Sequence, residues 1–381
     1  MIYLDYNAST PIEPVVREAM LPFVGRDAFG NPSSTHVMGK PLREAVEKAR
    51  RQVADLLGAS PEEIVFTSGG TEGCNHVIKG VGYALRDHGN HIITTAVEHP
   101  AVLNPCKFLE KHHGFEVTVV GVDSHGQVDP EEVAAEVRPT TVLIAVMHAQ
   151  NEVGTIQPIA EIAAVAREGG ILMYTDAAQS CGKIETHVDR LGVDLMTIAG
   201  HKLYAPQGIG AMYVRKGVTL EPLNHGAGHQ GGHRSGTEPV AMVAGLGAAA
   251  EMALTNNVSA KIMTLRDRLW NGLHAALGEG AVLLGHPTER LPNTLCVGFR
   301  DRIGADVLAA CPGLCASTGS ACHSKRMERS AVMAAMDVPE AVAFGAIRFS
   351  LGRHTTEVEV DGATQQLTAA CRSPHSVAGC S

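Results

Sequence analysis

Two reactive side chains follow strand-like runs in the middle of the chain. Lys202 comes after residues 194–197, and Asp176 follows the apolar residues 171–174, about one βαβ unit earlier. A lysine amine can form an imine with an aldehyde, and a carboxylate can keep a pyridine nitrogen protonated so that the ring accepts electrons. The pair therefore suits an enzyme that uses pyridoxal phosphate (PLP). The structural alternative is that Lys202 caps a strand and Asp176 caps a helix.

Another strand-like run leads into a glycine turn and the start of a helix. The residues 67–72 read TSGGTE. Free N–H groups at a helix N-terminus, together with its positive dipole end, form a phosphate site, and Gly70 and Thr71 would line it. An ordinary helix N-cap is the alternative interpretation.

Polar residues also follow the strand-like runs at 92–95 and 141–146, namely His99 and Asn151. A histidine at a strand end can stack on a planar cofactor and move protons, although it is more often a satisfied polar residue. Ligands of open α/β sheets bind beyond the carboxyl ends of the strands. We therefore expect these side chains to gather at one sheet edge with Lys202 and Asp176.

The elements that position these residues alternate between strand and helix patterns. Apolar residues on one face predict an amphipathic helix over 42–57, which Gly58 ends. Short apolar runs separated by helices predict an α/β fold with a mostly parallel central sheet covered by helices on both faces. After about residue 255 the pattern changes to a smaller α+β domain. We predict a large domain over 15–255 and a small domain formed by 1–14 and 256–381.

Bulk properties exclude several classes of protein. The chain has 381 residues, 45% of them hydrophobic, and a net charge of −9, which argues against a dedicated nucleic-acid surface. No apolar run approaches the length of a membrane span, and no secretory leader is visible, so we expect a cytoplasmic protein with reduced cysteines. Of the nine cysteines, Cys311, Cys315 and Cys322 cluster, but their spacing is not that of a zinc ribbon, and no metal site is expected.

Together the motifs resemble the PLP-dependent cysteine desulfurases of the aminotransferase class V group, to which selenocysteine lyase is closely related. The resemblance runs nearly from end to end and implies the aspartate-aminotransferase-like fold (fold type I). The motifs that carry it are YLDYNASTP at 3–11, GNPSS at 30–34, TSGGTE at 67–72, EH at 98–99, MHAQNE at 147–152, DAAQ at 176–179, GHK at 200–202, RSGT at 234–237, GSAC at 319–322 and RFSLGR at 348–353.

The resemblance implies a role for each candidate residue. Lys202 carries PLP, Asp176 pairs with its ring nitrogen and His99 stacks on the ring. Thr237 reaches the phosphate of the neighbouring subunit, which implies a homodimer. Arg348, with Asn31, binds the substrate carboxylate, and Arg353 is more structural. The remaining cofactor contacts are Gln179 and Asn151 at the ring hydroxyl, and Gly70, Thr71 and His201 at the phosphate.

Cys322 distinguishes the activity within this group. It lies in a run of small residues, beside His323, and an exposed thiol with a lowered pKa is a nucleophile. The resemblance implies that L-cysteine is converted to L-alanine while Cys322 takes the sulfur as a persulfide and passes it to an acceptor protein whose identity the sequence leaves open. An inert thiol is the alternative for a lone loop cysteine.

Some positions depart from the family pattern. Ala199 replaces a serine that commonly binds the phosphate, and the sequence leaves open whether Thr197 compensates. Ala199 and the run ACHS at 321–324 resemble selenocysteine lyases, so the preference for sulfur or selenium stays open. A non-catalytic subunit with a PLP fold is a remote third possibility. A redox role for Cys371 and Cys380 is also left open.

Overall fold

The computed structural model describes residues 1–26, 28–318 and 328–373. Its strands are β1 (Ile2–Tyr3), β2 (Ile64–Thr67), β3 (His91–Thr95), β4 (Glu116–Val120), β5 (Thr141–Ala145), β6 (Leu172–Asp176), β7 (Leu195–Ala199), β8 (Gly210–Val214), β9 (Ala281–Leu284), β10 (Thr294–Phe299), β11 (Leu314–Cys315), β12 (Ser317–Thr318) and β13 (Ala346–Ser350). The α-helices are α1 (Pro14–Met20), α2 (Lys40–Leu57), α3 (Gly70–Ala84), α4 (Pro100–His113), α5 (Pro130–Ala135), α6 (Ile159–Glu168), α7 (Val188–Leu191), α8 (Val240–Thr255), α9 (Ser259–Leu277), α10 (Gly304–Ala309), α11 (Ala331–Ala335), α12 (Glu340–Ala343) and α13 (Glu357–Arg372).

The largest sheet has seven strands in the order β2-β8-β7-β6-β5-β3-β4. Its strands are parallel except for β8, which runs antiparallel to both of its neighbours. Successive side chains of a strand point to opposite faces. Ile92 accordingly packs with α3 and α4, whereas Ile93 packs with α2, α6 and α8. The sequence prediction of a mostly parallel sheet covered on both faces is confirmed.

A second, antiparallel sheet has the order β12-β13-β10-β9. Its apolar face packs against α9 and α13 in a separate cluster. The start of the chain joins this part of the molecule, because β1 pairs with β11 and Leu4 is buried in the same cluster. The short segment that follows β1 thus connects the second sheet to the edge of the first.

Helix α2 shows how the sequence pattern becomes structure. The predicted apolar face, including Leu42, Val46 and Val53, is buried, and Pro41 lies in the first turn. Gly58 adopts the left-handed conformation (φ 64°) that ends helices, as the sequence indicated. Within the described residues, no helix is long and apolar enough to cross a membrane.

Two central elements, β8 and α8, were not predicted from the sequence. Helix α8 is rich in alanine and glycine and is buried around most of its surface, so it has no amphipathic period. It approaches α2 closely: a Cβ atom on Gly247 would lie 2.7 Å from the Cβ of Ala49. The small residues of α8 allow it to lie close to α2. Hydrophobic periodicity in the sequence does not reveal such a contact.

Candidate active site

Most of the residues predicted to bind the cofactor or act on the substrate lie where five parallel strands of the large sheet end. The strands β2, β3, β5, β6 and β7 run in the same direction, so their carboxyl ends share one edge. A cleft of about 400 Å³ opens at this edge. Its lining consists of Asn7, Ala8, Gly70, Thr71, Cys74, His99, Ala101, Met147, Ala149, Asn151, Asp176, Ala178, Gln179, Ala199, His201, Lys202 and Arg348.

One end of the cleft is formed by Gly70, Thr71 and His201, and we call it the phosphate end. Helix α3 begins at Gly70 and presents its first N–H groups there. Gly69 before it has a φ of 149°, which side chains rarely allow. The Nδ1 atom of His201 is buried and has no hydrogen-bond partner among the described residues. Backbone donors and a free imidazole nitrogen suit a phosphate group.

Ala199 also lines this end, and its Cβ would lie 3.3 Å from a Cβ on Gly70. A serine hydroxyl at this position would face the cleft. Thr197 does not supply one, because it is fully buried, accepts a hydrogen bond from the Tyr174 hydroxyl at 3.2 Å and packs against Gly73. The question that the sequence left open is therefore answered: Thr197 does not compensate.

The other end, which we call the ring end, is formed by Asp176, Gln179 and Lys202. Asp176 ends β6, and its Oδ1 accepts a hydrogen bond from the Ala178 N–H at 2.9 Å. The thiol of Cys74 lies 3.8 Å from its Oδ2. Burial raises the pKa of Asp176, while the Ala178 N–H and the nearby His99 oppose the rise. A buried carboxylate at this edge is suited to a cationic partner in the cleft.

Lys202 follows β7 in a short 3₁₀ turn, Gly200–Lys202. Its amine donates hydrogen bonds to the main-chain oxygens of Asn7 and Ala8, the latter at 2.8 Å. Burial and, to a smaller extent, the Arg348 cation together lower the pKa of this amine to about 8, while Asp5 and Asp176 act in the opposite direction. A substantial fraction of the amine is thus neutral, and therefore nucleophilic, near pH 8.

His99 caps the N-terminus of α4 and lines the cleft. Its Nδ1 accepts a hydrogen bond from the Ala101 N–H at 3.1 Å, and its Nε2 has no hydrogen-bond partner in the described part of the chain. The buried Glu98 beside it ties two strand ends together, because its Oε1 accepts from the Thr95 hydroxyl and from the Met147 N–H, each at 2.8 Å. Burial raises the pKa of Glu98 to about 8, so this carboxyl can remain protonated. Glu98 was quoted in a motif, but its anchoring role was not predicted.

Arg348 enters the cleft from β13 of the second sheet. Its Nη1 donates to the main-chain oxygen of Asn151 at 2.9 Å, and its Nη2 donates to Asp5 Oδ1 at 2.7 Å. The Nε atom is buried without a hydrogen-bond partner in the described part of the chain. A guanidinium so oriented can receive a ligand carboxylate at the mouth of the cleft.

Asn7 links the two sheets and was missed as a site residue. It is 1% exposed, and its side-chain nitrogen donates to Thr294 Oγ1 at 2.8 Å. Its main-chain oxygen receives hydrogen bonds from Lys202 and Gln179. The YLDYNASTP motif was the available signal, but an asparagine in a turn does not by itself indicate a buried residue with several hydrogen-bond partners.

Two predicted residues lie outside the described lining of this cleft. Asn31 is exposed, and its Oδ1 accepts a hydrogen bond from the Ser33 N–H at 2.9 Å. Thr237 is exposed at the end of the RSGT motif, between β8 and α8. Arg353 lies away from the lining as well; its Nη1 donates to the Asn256 oxygen at 2.9 Å, which agrees with a structural role. Cys322 lies outside the described residues.

Comparisons with known proteins agree on one family. The aminotransferase class-V family description matches residues 2–362. A cysteine desulfurase IscS of Dictyoglomus turgidum is 45% identical over 364 residues, covering 94% of this chain and 92% of that protein. Two solved structures are also similar. A NifS-like protein has a TM-score of 0.90 and 37% identity, with 97% of this chain and 98% of that chain covered. The structure "SspA in complex with cysteine" has a TM-score of 0.83 and 36% identity, with 93% and 100% covered.

Both the extent of these matches and the gathering of the predicted site residues at one sheet edge lead to the same assignment. The chain belongs to the aminotransferase class-V family of PLP-dependent enzymes and, within it, to the cysteine desulfurases.

Proposed function

We propose that this protein converts L-cysteine to L-alanine and retains the sulfur as a persulfide on Cys322. The observation that carries the proposal is that Lys202, Asp176 and Arg348 line the same cleft. An amine, a buried carboxylate and a guanidinium are the groups that cofactor attachment, ring protonation and amino-acid binding require.

The cleft residues fit PLP at both ends. The helix N-terminus and the His201 Nδ1, which has no partner among the described residues, suit its phosphate, and the buried Asp176 suits its protonated ring nitrogen. His99 would cover one face of the ring, and Gln179 and Asn151 would hold its hydroxyl. Attached to Lys202, PLP supplies an electron sink for the α-carbon of the substrate.

The chain's own residues then bind cysteine and move its proton. Arg348, assisted by Asn31, holds the substrate carboxylate in the bidentate manner of a guanidinium. The Lys202 amine removes the α-proton, because its lowered pKa makes it an effective base near neutral pH. The Cys322 thiolate would attack the substrate sulfur, so that a sulfur–sulfur bond forms as the carbon–sulfur bond breaks. The electron pair of the broken bond stays with the β-carbon, which takes up a proton, and alanine leaves.

The expected test uses Cys322→Ala. This variant should retain the yellow cofactor but form no persulfide when cysteine is added, as measured by mass spectrometry of the intact protein. The variant Cys315→Ala is a matched control, since Cys315 pairs in β11 and should leave persulfide formation unchanged. Sulfur transfer by Cys322→Ala at the wild-type rate would contradict the assigned role.

We also infer a homodimer in which Thr237 completes the phosphate site of the partner. Two observations support this. Thr237 is exposed outside the cleft of its own chain, and the region between α1 and α2 carries exposed apolar side chains, of which Phe29 is 70% and Val37 is 81% exposed. The acceptor protein for sulfur and the cytoplasmic location remain predictions from the sequence.

Selenocysteine lyase activity is the second candidate, favoured by Ala199 at the phosphate end. Selenium leaves more easily than sulfur, so such an enzyme would release alanine without the thiol. Measuring alanine from cysteine and from selenocysteine, with wild type and Cys322→Ala, separates the two activities. The neighbour solved with cysteine bound supports the sulfur substrate.

A further inference from the structure

Lys183 lies just behind the ring end of the cleft, in the turns that follow β6. Part of its side chain is accessible, but its amine is surrounded by protein atoms. The amine donates hydrogen bonds to Gln179 Oε1 at 3.1 Å and to Asn7 Oδ1 at 3.3 Å. Neither the sequence motifs nor the proposed reaction gives this lysine a role.

The contacts of Lys183 determine the orientation of a side-chain amide that faces the cleft. A protonated lysine amine only donates hydrogen bonds, so the atom of Gln179 that accepts from it is the carbonyl oxygen. The amide nitrogen of Gln179 must then point the other way, and it donates to the main-chain oxygen of Asn7 at 3.1 Å. One N–H of that nitrogen is used in this contact, so the second N–H is the group that Gln179 can offer toward the cleft.

A second contact supports the same arrangement. Asn7 Oδ1 also accepts a hydrogen bond from Asn293 Nδ2 at 2.9 Å, so two donors converge on that oxygen. The amides of Asn7 and Gln179 are thus both oriented by the same cation. The main-chain oxygen of Asn7 can only accept a hydrogen bond, so it favours the same orientation of the Gln179 amide that Lys183 does.

The charge of Lys183 is poorly compensated before a ligand binds. Burial lowers the pKa of its amine to about 7, and among the described residues the charged side chains Lys202 and Arg348 oppose its protonation. A buried cation without a carboxylate partner is costly, and an anion in the cleft would reduce that cost.

We propose that Lys183 is a positioning residue that, together with the main-chain oxygen of Asn7, makes Gln179 a donor toward an anionic oxygen on the ring of the cofactor. This inference rests on the proposed function, because the oxygen concerned is the ring hydroxyl of PLP. Lys183 is not among the described residues that line the cleft. It acts through the Gln179 amide, whose remaining N–H it helps to direct and polarise toward the cleft.

The proposal has a spectroscopic consequence. The positive charge of Lys183 acts on the ring oxygen through the Gln179 amide. It disfavours protonation of the nitrogen that links PLP to Lys202, so the visible absorbance of the bound cofactor titrates at a lower pH. Lys183→Met removes the charge at similar length. The titration midpoint should rise by about one pH unit, the effect of a unit charge several ångströms away in a protein interior.

The experiment compares Lys183→Met, Gln179→Leu and the double variant by pH titration of the visible absorbance. Because Lys183 acts through Gln179, its replacement should shift the midpoint by less than half as much in the Gln179→Leu background. Lys40→Met, an exposed lysine of α2 (70% exposed), is the matched control and should leave the midpoint unchanged. Thermal unfolding of the apo-protein checks that each variant folds. Lys183→Gln replaces the methionine variant if the latter does not fold, with the same rise expected.

Each result has one meaning. An unchanged midpoint in folded Lys183→Met, or an equal shift in both Gln179 backgrounds, would overturn the proposal. A wild-type protein that acquires no visible absorbance with PLP would instead overturn the proposed function.

Discussion

The two ends of the cleft differ in the groups that form them and in how those groups are held. At the ring end, the side chains are already held by hydrogen bonds within the protein: Asp176, Gln179 and Lys202 each bind main-chain groups, and Gln179 also accepts a hydrogen bond from Lys183. The phosphate end relies on main-chain N–H groups of α3 and on His201, whose Nδ1 finds no partner in the described chain. The side chains of the ring end are thus held by protein contacts, whereas the donors of the phosphate end have few partners within the described chain.

This difference indicates where specificity and affinity arise. A network of buried polar groups holds one arrangement, because each change leaves a donor or acceptor unpaired. Backbone donors at a helix N-terminus bind many anions and are easily strengthened by one more hydroxyl. Substitutions at the ring end should therefore impair the chemistry, and substitutions at the phosphate end should adjust cofactor affinity.

The largest effect is expected from Asp176→Asn, which removes the ring-end charge and keeps the shape. Without a carboxylate the ring nitrogen loses its counter-charge, and alanine formation from cysteine should fall by about 10²–10³-fold. Asp189→Asn is the matched control, because this exposed aspartate pairs with Arg215 away from the cleft. A fully active Asp176→Asn enzyme would remove the distinction between the two ends.

An effect of intermediate size is expected when the rate of PLP uptake is measured at different pH values. The Lys202 amine must be neutral to attach PLP, and its pKa is lowered to about 8 from 10.5. The rate of cofactor uptake by the apo-protein should rise about tenfold between pH 7 and pH 9 and then level off. A rate that keeps rising toward pH 10.5 would show that the amine is not perturbed. Stopped-flow absorbance in the visible range provides the measurement.

The smallest effect concerns the phosphate end. Ala199→Ser restores a hydroxyl beside Gly70, and one added hydrogen bond of about 1 kcal/mol should tighten PLP binding about fivefold. Thr197→Val removes a hydroxyl that lies outside the cleft and should leave the dissociation constant unchanged. Equilibrium dialysis of the apo-protein with PLP measures both. If Ala199→Ser binds PLP no more tightly than the wild type, position 199 does not face the phosphate.

Sequence reasoning predicted the sheet and most of the cleft because both follow local rules. Apolar runs and turns revealed β3, β5 and β6, and parallel strands necessarily bring residues such as His99 and Asp176 to one edge. The recognition of the family and its cofactor was likewise confirmed.

What the sequence did not reveal depends on tertiary contact. Asn7, Glu98 and Lys183 work through partners that are distant in the chain or across strands, such as Thr294 for Asn7 and Met147 for Glu98. No spacing rule encodes such pairings. The roles of Asn31 and Thr237 stay predictions, since both lie outside the described lining of their own cleft.

The central claim is that the Lys202 amine carries the cofactor. The direct measurement is to load the protein with PLP, reduce the linkage with borohydride and locate the added mass by peptide mapping, with Lys202→Ala as the control. The account predicts one modified residue, Lys202, and no modification in the control. Modification of Lys183, whose amine also has a lowered pKa near the cleft, in place of Lys202 would contradict it.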